Sequence, residues 1–166
     1  MHNDKESYVL KQFSWTKDLA VLAARVALGV VFVAHGAQKL FTWGLSGTAD
    51  AFQGMGVPAP QASALFATLV ELVGGIALIL GVAVPIAGLL LALDMFGAFL
   101  LVHVNKGVFI DGGGFELVVA LGAAALVLAA TGAGRLSVDH AVGARVRAAR
   151  RSESATPAHQ LANAEA

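Results

Sequence analysis

Apolar positions fall into four long runs, at about residues 19–40, 62–82, 84–104 and 115–131, parted by stretches rich in polar residues, glycine and proline. A helix needs about 20 predominantly apolar residues to cross a hydrocarbon core of about 30 Å. The first three runs meet that length and the fourth is short, so the pattern predicts an all-α transmembrane four-helix bundle with up-down-up-down topology. Each run carries a fully ionisable residue: Arg25, Glu71 and Asp94 lie within the first three, and Glu116 opens the fourth. A central Arg, Lys or Asp costs roughly 2.5 to 3.5 kcal/mol even on the mildest insertion scale, and such residues usually face one another or a wet cavity. They are therefore the first candidates for a functional site.

At 100° per residue, Arg25, Leu28, Gly29, Phe32, His35, Gly36 and Lys39 share one stripe of the first helix. Glu71 shares a face with Ala64, Ala67, Gly74, Gly75 and Leu78, Asp94 with Ala87, Leu91, Gly97, Ala98 and Leu101, and Glu116 with Val119, Ala120 and Ala123. Small side chains let helices approach closely in lipid, so these faces are expected to point inward. Depth, counted from the span ends at about 1.5 Å per residue, sorts the charges into two layers. Arg25, Glu71 and Asp94 form a midplane layer in which Arg25 pairs with one of the acids, leaving the other neutral. His35, Lys39 and Glu116 form an outer layer beside the long first connection. The bland alternatives are an ion pair that only fixes helix register and a Lys39 that snorkels to the headgroups. His103 falls opposite Asp94 on its helix and is expected to face lipid or a partner subunit.

The connecting segments refine the topology. Residues 1–18 form a polar leader with Lys5, Lys11 and Lys17, and residues 140–166 an Arg-rich tail expected to begin as a basic surface helix and end disordered. With Arg135 beside them, these charges place both termini in the cytoplasm. A cleavable signal peptide is disfavoured by the long leader and by Arg25 within the apolar run. The 41–61 connection holds Trp43, an interfacial anchor, and a short helix over 48–55 with Ala51, Phe52 and Met55 on one side. Pro85 begins the third helix, making the second and third an antiparallel hairpin. Gly112, Gly113 and Gly114 are read as a flexible lead into the fourth helix. With no preceding strand and no GxGxxG spacing, they are not a dinucleotide fingerprint.

Composition agrees with a membrane protein: 57% of the 166 residues are hydrophobic and 13% charged, with mean hydropathy +0.75. A formal net charge of zero argues against nucleic acid as a partner. The chain has no cysteine, which excludes disulfide relays, iron–sulfur clusters and covalent c-type haem. No covalent cofactor is expected. A b-type haem is disfavoured because His103 lacks the inward face that pairing with His35 requires, and no close ligand spacing points to a metal.

The residues Arg25, Leu28-Gly29, Phe32 and His35-Gly36-Ala37-Gln38-Lys39-Leu40, then Phe52 with Met55-Gly56-Val57-Pro58, then Glu71-Leu72-Val73-Gly74-Gly75, closely resemble the DoxX family of small four-helix bacterial membrane proteins. Gly113-Gly114-Phe115-Glu116 and the 131–139 segment agree with it. The resemblance covers about residues 25–139 and implies a multi-pass protein of the bacterial inner membrane. Family members are linked to a thiosulfate:quinone oxidoreductase, whose DoxD subunit is related, and to membrane oxidoreductase complexes that meet thiol and oxygen stress. The expected role is a quinone-interacting subunit of an oxidoreductase system, itself non-catalytic or quinone-binding, with Arg25, His35, Lys39, Glu71 and Glu116 lining the ligand cavity and a partner delivering electrons. One alternative is a membrane scaffold that recruits a soluble enzyme through its Arg-rich tail. Another is a small-molecule or proton carrier, which calls for a homo-oligomer because four helices enclose little space.

Overall fold

A computed structural model describes the backbone of residues 2–164 and the side chains of residues 15–151. Helix α1 (His2–Ala37) runs into a single π-helical turn, Gln38–Thr42, and is followed by α2 (Gly44–Gly54), α3 (Pro60–Leu80) and α4 (Val84–Ala98). A second π-helical turn, Phe99–His103, a 3-10 turn, Ile110–Gly112, and helices α5 (Glu116–Thr131) and α6 (Val138–Ala164) complete the order. Among the described residues there is no strand. Three stretches are long and apolar enough to cross a membrane, namely Trp15–Thr42, Pro60–Leu80 and Val84–His103, while α5, with 16 residues, is shorter.

Helix boundaries follow local chemistry. Pro60 and Pro85 sit in the first turns of α3 and α4, where a missing N–H breaks no helical bond. Between them the chain reverses at Gly81 (φ 71°) and Ala83 (φ 46°). Ala83 has no side chain with which to cap α4. The cap comes instead from Asp139, whose carboxylate accepts the Ala83 and Val84 N–H groups at 2.8 and 3.1 Å.

Packing is set by glycine. A Cβ on Gly29 would lie 2.7 Å from the Gly75 carbonyl oxygen, and one on Gly36 would lie 2.6 Å from the Leu72 nitrogen. Helices α1 and α3 therefore touch backbone to backbone, as small-residue faces permit in lipid. Gly88 does the same for α4 against Ala125 and Ala129 of α5. Leu28, Phe32, Leu78, Leu91, Met95 and Leu128 fill the space between the two pairs.

Helix α1 runs as one helix from His2 and α6 from Val138 to Ala164; Ser137 accepts the His140 N–H at 3.1 Å, and Ala and Arg are strong helix formers. One expectation changes. Gly112–Gly114 are not a loose lead into α5. Phe115 and Glu116 donate their N–H groups to the Gly107 and Val108 carbonyls at 3.0 Å each, and a Cβ on Gly114 would lie 2.5 Å from that backbone. Glycine is needed there for close approach.

Candidate functional site

The antiparallel register of α1 and α3 decides which charges meet. Gly29 lies against Gly75 and Gly36 against Leu72, so Arg25 falls beside the end of α3 and Glu71 beside the turn that bears Lys39. Lys39 Nζ donates to Glu71 Oε2 at 2.6 Å, and both side chains are largely buried. The expected midplane pair of Arg25 with Glu71 or Asp94 does not form. From Gly81, which abuts Arg25, Glu71 is ten residues away along α3, roughly 15 Å at 1.5 Å per residue.

Arg25 belongs instead to the end of the molecule where α3 turns into α4. Its guanidinium is buried and donates from Nη2 to the Leu136 carbonyl at 2.6 Å; Nε and Nη1 find no partner among the described residues. Asp18 of α1 accepts the Arg135 N–H at 3.1 Å and lies 3.7 Å from its Nε. Asp139 caps α4 through its side chain and donates its own N–H to the Gly81 carbonyl at 3.0 Å. Residues 135–139 are thus stitched to α1 and to the α3–α4 turn. The Asp18 and Asp139 roles escaped sequence reading because both were assigned to the edges of the bundle. The polar run Ser137, Asp139 just before the tail was the available signal for a cap.

At the opposite end the helices part around a cavity of about 740 Å³. Phe32, His35 and Lys39 line it from α1 and its π turn, Trp43, Phe52, Met55 and Val57 from the first connection, and Ala67 and Glu71 from α3. Asp94, Gly97, Ala98, Leu101 and His103 line it from α4 and its π turn, and Lys106, Leu117 and Leu121 close the far side. Its wall is mainly apolar with a few convergent polar groups, the usual make-up of a small-molecule site. Phe66 on α3 and Leu93 and Leu101 on α4 also line the cavity and are about half exposed. Apolar side chains of both helices thus border the cavity where they meet the exterior.

Of the candidates, His35, Lys39, Glu71 and Asp94 come together in this wall, whereas Arg25 and Glu116 do not. Glu116 turns back to accept the Ile110 N–H at 2.7 Å, holding the 107–116 loop closed. Its nearness to that loop in sequence gave it a better partner than the cavity. His103, expected to face outward, lines the cavity instead. The Val104 N–H reaches the Phe99 carbonyl at 2.8 Å, an i→i+5 bond that inserts one extra residue in the turn. The face beyond is turned back by about one residue, roughly 100°. This correction also removes the ground on which haem was disfavoured.

The two histidines are held alike. His103 Nδ1 lies 2.6 Å from the Gly113 carbonyl and His35 Nδ1 lies 2.9 Å from the Val31 carbonyl. A carbonyl only accepts, so each Nδ1 carries the proton, and in the neutral ring Nε2 is left as an acceptor. The first connection is pinned above the cavity by Thr48, whose hydroxyl lies 3.1 Å from the Lys39 carbonyl and 2.9 Å from the Gly44 carbonyl. Thr48 and Ala49 are the buried residues of α2, while Met55, which ends it, lines the cavity and is partly exposed.

The DoxX family model matches residues 20–104, the segment holding α1 from its second half through the π turn after α4. A Bacillus subtilis (strain 168) protein named "Putative oxidoreductase CatD" is 33% identical over 122 residues, covering 74% of this chain and 86% of that one. "Inner membrane protein YphA" of Escherichia coli (strain K12) is 26% identical over 132 residues, covering 76% of this chain and 93% of its own. No solved structure matches the chain. The family match takes in His35, Lys39, Glu71, Asp94 and His103 together with the glycine contacts that bring them to one end, and on this evidence the chain belongs to the DoxX family of membrane proteins.

Proposed function

We propose that this protein is a quinone-binding membrane subunit of an oxidoreductase system in the bacterial inner membrane, with four spans and both termini in the cytoplasm. The observation that carries the reading is the cavity of about 740 Å³, apolar over most of its wall and bordered by the half-exposed Phe66 of α3 and Leu93 of α4, with Lys39, Glu71, Asp94, His35 and His103 converging on it. Such a cavity suits a molecule with a polar ring and a long apolar tail. The tail leaves between Phe66 and Leu93 while the ring stays among the charges.

Lys39 gives one ammonium hydrogen to Glu71 and has others for a ring oxygen, a donor placed where negative charge grows on reduction. His35 and His103 present Nε2, and Asp94 a carboxyl group, as stations that take or give a proton at that oxygen. A bound quinone supplies the two-electron chemistry itself. Without cysteine in the chain, a partner or diffusible donor supplies the electrons, in keeping with the oxidoreductase name of the Bacillus subtilis relative. The long basic C-terminal segment fits a cytoplasmic location, and the printed name of the Escherichia coli relative fits the inner membrane.

The test is saturable binding of short-tailed ubiquinone and menaquinone analogues to the purified full chain in nanodiscs, with mass analysis of lipid-soluble molecules that co-purify in mild detergent. Absence of binding across several quinones overturns the reading. A visible spectrum taken on the same sample adds a control, since a haem absorption band assigns the cavity to that group instead.

A further inference from the structure

Helix α6 leaves the bundle at the stitched end without covering itself. Val138, Val142 and Val146 are each about half exposed, at 44%, 52% and 48%, and lie within about 80° of one another at 100° per residue. Ala149 shares that side of the helix, Arg145 and Arg150 flank the stripe, Ala141 and Gly143 lie at its two borders, and His140, Arg147 and Arg151 lie opposite. Between residues 135 and 151 the chain carries Arg135, Arg145, Arg147, Arg150 and Arg151 against the lone acid Asp139, whose carboxylate is occupied in capping α4.

Position adds to the pattern. Residues 135–139 are fixed to Asp18, Arg25 and the α3–α4 turn, so α6 starts at the level where the α1 span begins and the hairpin reverses. Trp15, half exposed, sits at that level with Arg135 5.4 Å from its ring centroid. An indole at the end of an apolar span marks a membrane–water boundary. A helix tethered there, with a valine stripe flanked by Arg145 and Arg150 and backed by Arg147 and Arg151, has the design of an in-plane surface helix.

We infer that the first four turns of α6 form a lipid-binding surface, with Val138, Val142 and Val146 set into the headgroup–acyl boundary and the surrounding arginines engaging anionic phospholipid headgroups. Arg145 lies near the valine stripe and reaches the phosphates by extending its guanidinium outward while its methylenes stay with the valines. Charge complementarity selects lipid over a soluble enzyme as the occupant. Four arginines of α6 next to a membrane suit a continuous sheet of phosphates, attracted over about one Debye length.

The absence of native cysteine allows a direct test in the full-length chain. Single cysteines at positions 138 to 149 are spin-labelled in nanodiscs with and without phosphatidylglycerol, and collision with oxygen is compared with collision with a water-soluble nickel chelate. The expected result is helical periodicity in anionic discs, oxygen favoured at least threefold over the chelate at 138, 142 and 146 and the reverse at 140, 144 and 147. The contrast is expected to fade in neutral discs and in 1 M salt, which checks the charge term without altering the protein. Chelate access at every position in anionic discs overturns the inference and leaves the valine face to a protein partner. Equal periodicity in neutral discs overturns the anionic preference.

Discussion

The two ends of the bundle use the same kinds of residue to opposite ends. Where α3 turns into α4, Asp18, Arg25 and Asp139 are each bonded to backbone of another segment, and the chain is closed. At the other end, Lys39 and Glu71 bond to each other, and with His35, Asp94 and His103 they surround open space. A buried charge that bonds to backbone from a distant segment holds the fold. One whose partner is another side chain on a cavity wall keeps hydrogen-bonding capacity for a ligand. The comparison gives a rule that substitutions can break: changes at the closed end should move stability and leave ligand affinity alone, and changes at the open end should move affinity.

The largest effect is expected from Gly75→Leu, which puts a side chain where a Cβ alone would lie 2.8 Å from the Gly29 carbonyl oxygen. Overpacking typically costs about 1–3 kcal/mol, and with backbone on the far side the cost should reach the top of that range or exceed it. The check is the yield of folded monodisperse protein in detergent. Next, Glu71→Gln leaves the Lys39 ammonium buried without its carboxylate, a loss of about 3 kcal/mol for a pair of this kind. Quinone binding should fall together with stability, and pairing the change with Lys39→Met should recover the stability but not the binding.

Asp139→Ala tests the closed end by itself. It strips the α4 N-terminus of its acceptor and should lower unfolding stability by about 2 kcal/mol with quinone affinity unchanged. His103→Ala tests the open end in the same way. Losing one hydrogen-bonding group of about 1 kcal/mol corresponds to roughly a fivefold weaker Kd, with the unfolding midpoint nearly unmoved. Ala83→Gly is the smallest and has the opposite sign. It relieves a left-handed φ of 46° that disfavours residues bearing a Cβ, a gain of about 0.5 kcal/mol after the added freedom of the unfolded chain is set against it.

How much of this was legible beforehand follows the same division. The apolar runs, the hairpin at Pro85 and the inward small-residue stripes of the first three runs were readable, because hydrophobic period and glycine spacing are local properties; the fourth stripe was misread, since Glu116, Val119, Ala120 and Ala123 are exposed and Ala125 and Leu128 face the core. His35, Lys39, Glu71 and Asp94 were readable as candidates because ionisable residues in apolar helices are few. Their pairing was not. Depth counted from span ends put Arg25 opposite Glu71, whereas the Gly29–Gly75 contact sets the register some ten residues away from that match. His103 was misplaced for a related reason: a π turn is a change of hydrogen-bond pattern that leaves no compositional mark, yet it turns everything after it. Glu116 depended on the backbone of the loop just before it, and Asp18 and Asp139 on backbone groups of distant segments, and a reading that pairs side chains with side chains passes over such partners.

The central claim is that one end binds and the other holds, and the two tryptophans report on them separately. Trp43 lines the cavity and Trp15 sits at the closed end beside Arg135. With Trp15→Phe and Trp43→Phe each leaving one indole, a quinone analogue titrated into nanodiscs should quench Trp43 saturably and competitively with an unlabelled quinone. It should quench Trp15 only weakly and linearly, as collision in the bilayer does. Equal, non-saturable quenching of both, or saturable quenching of Trp15 alone, contradicts the account.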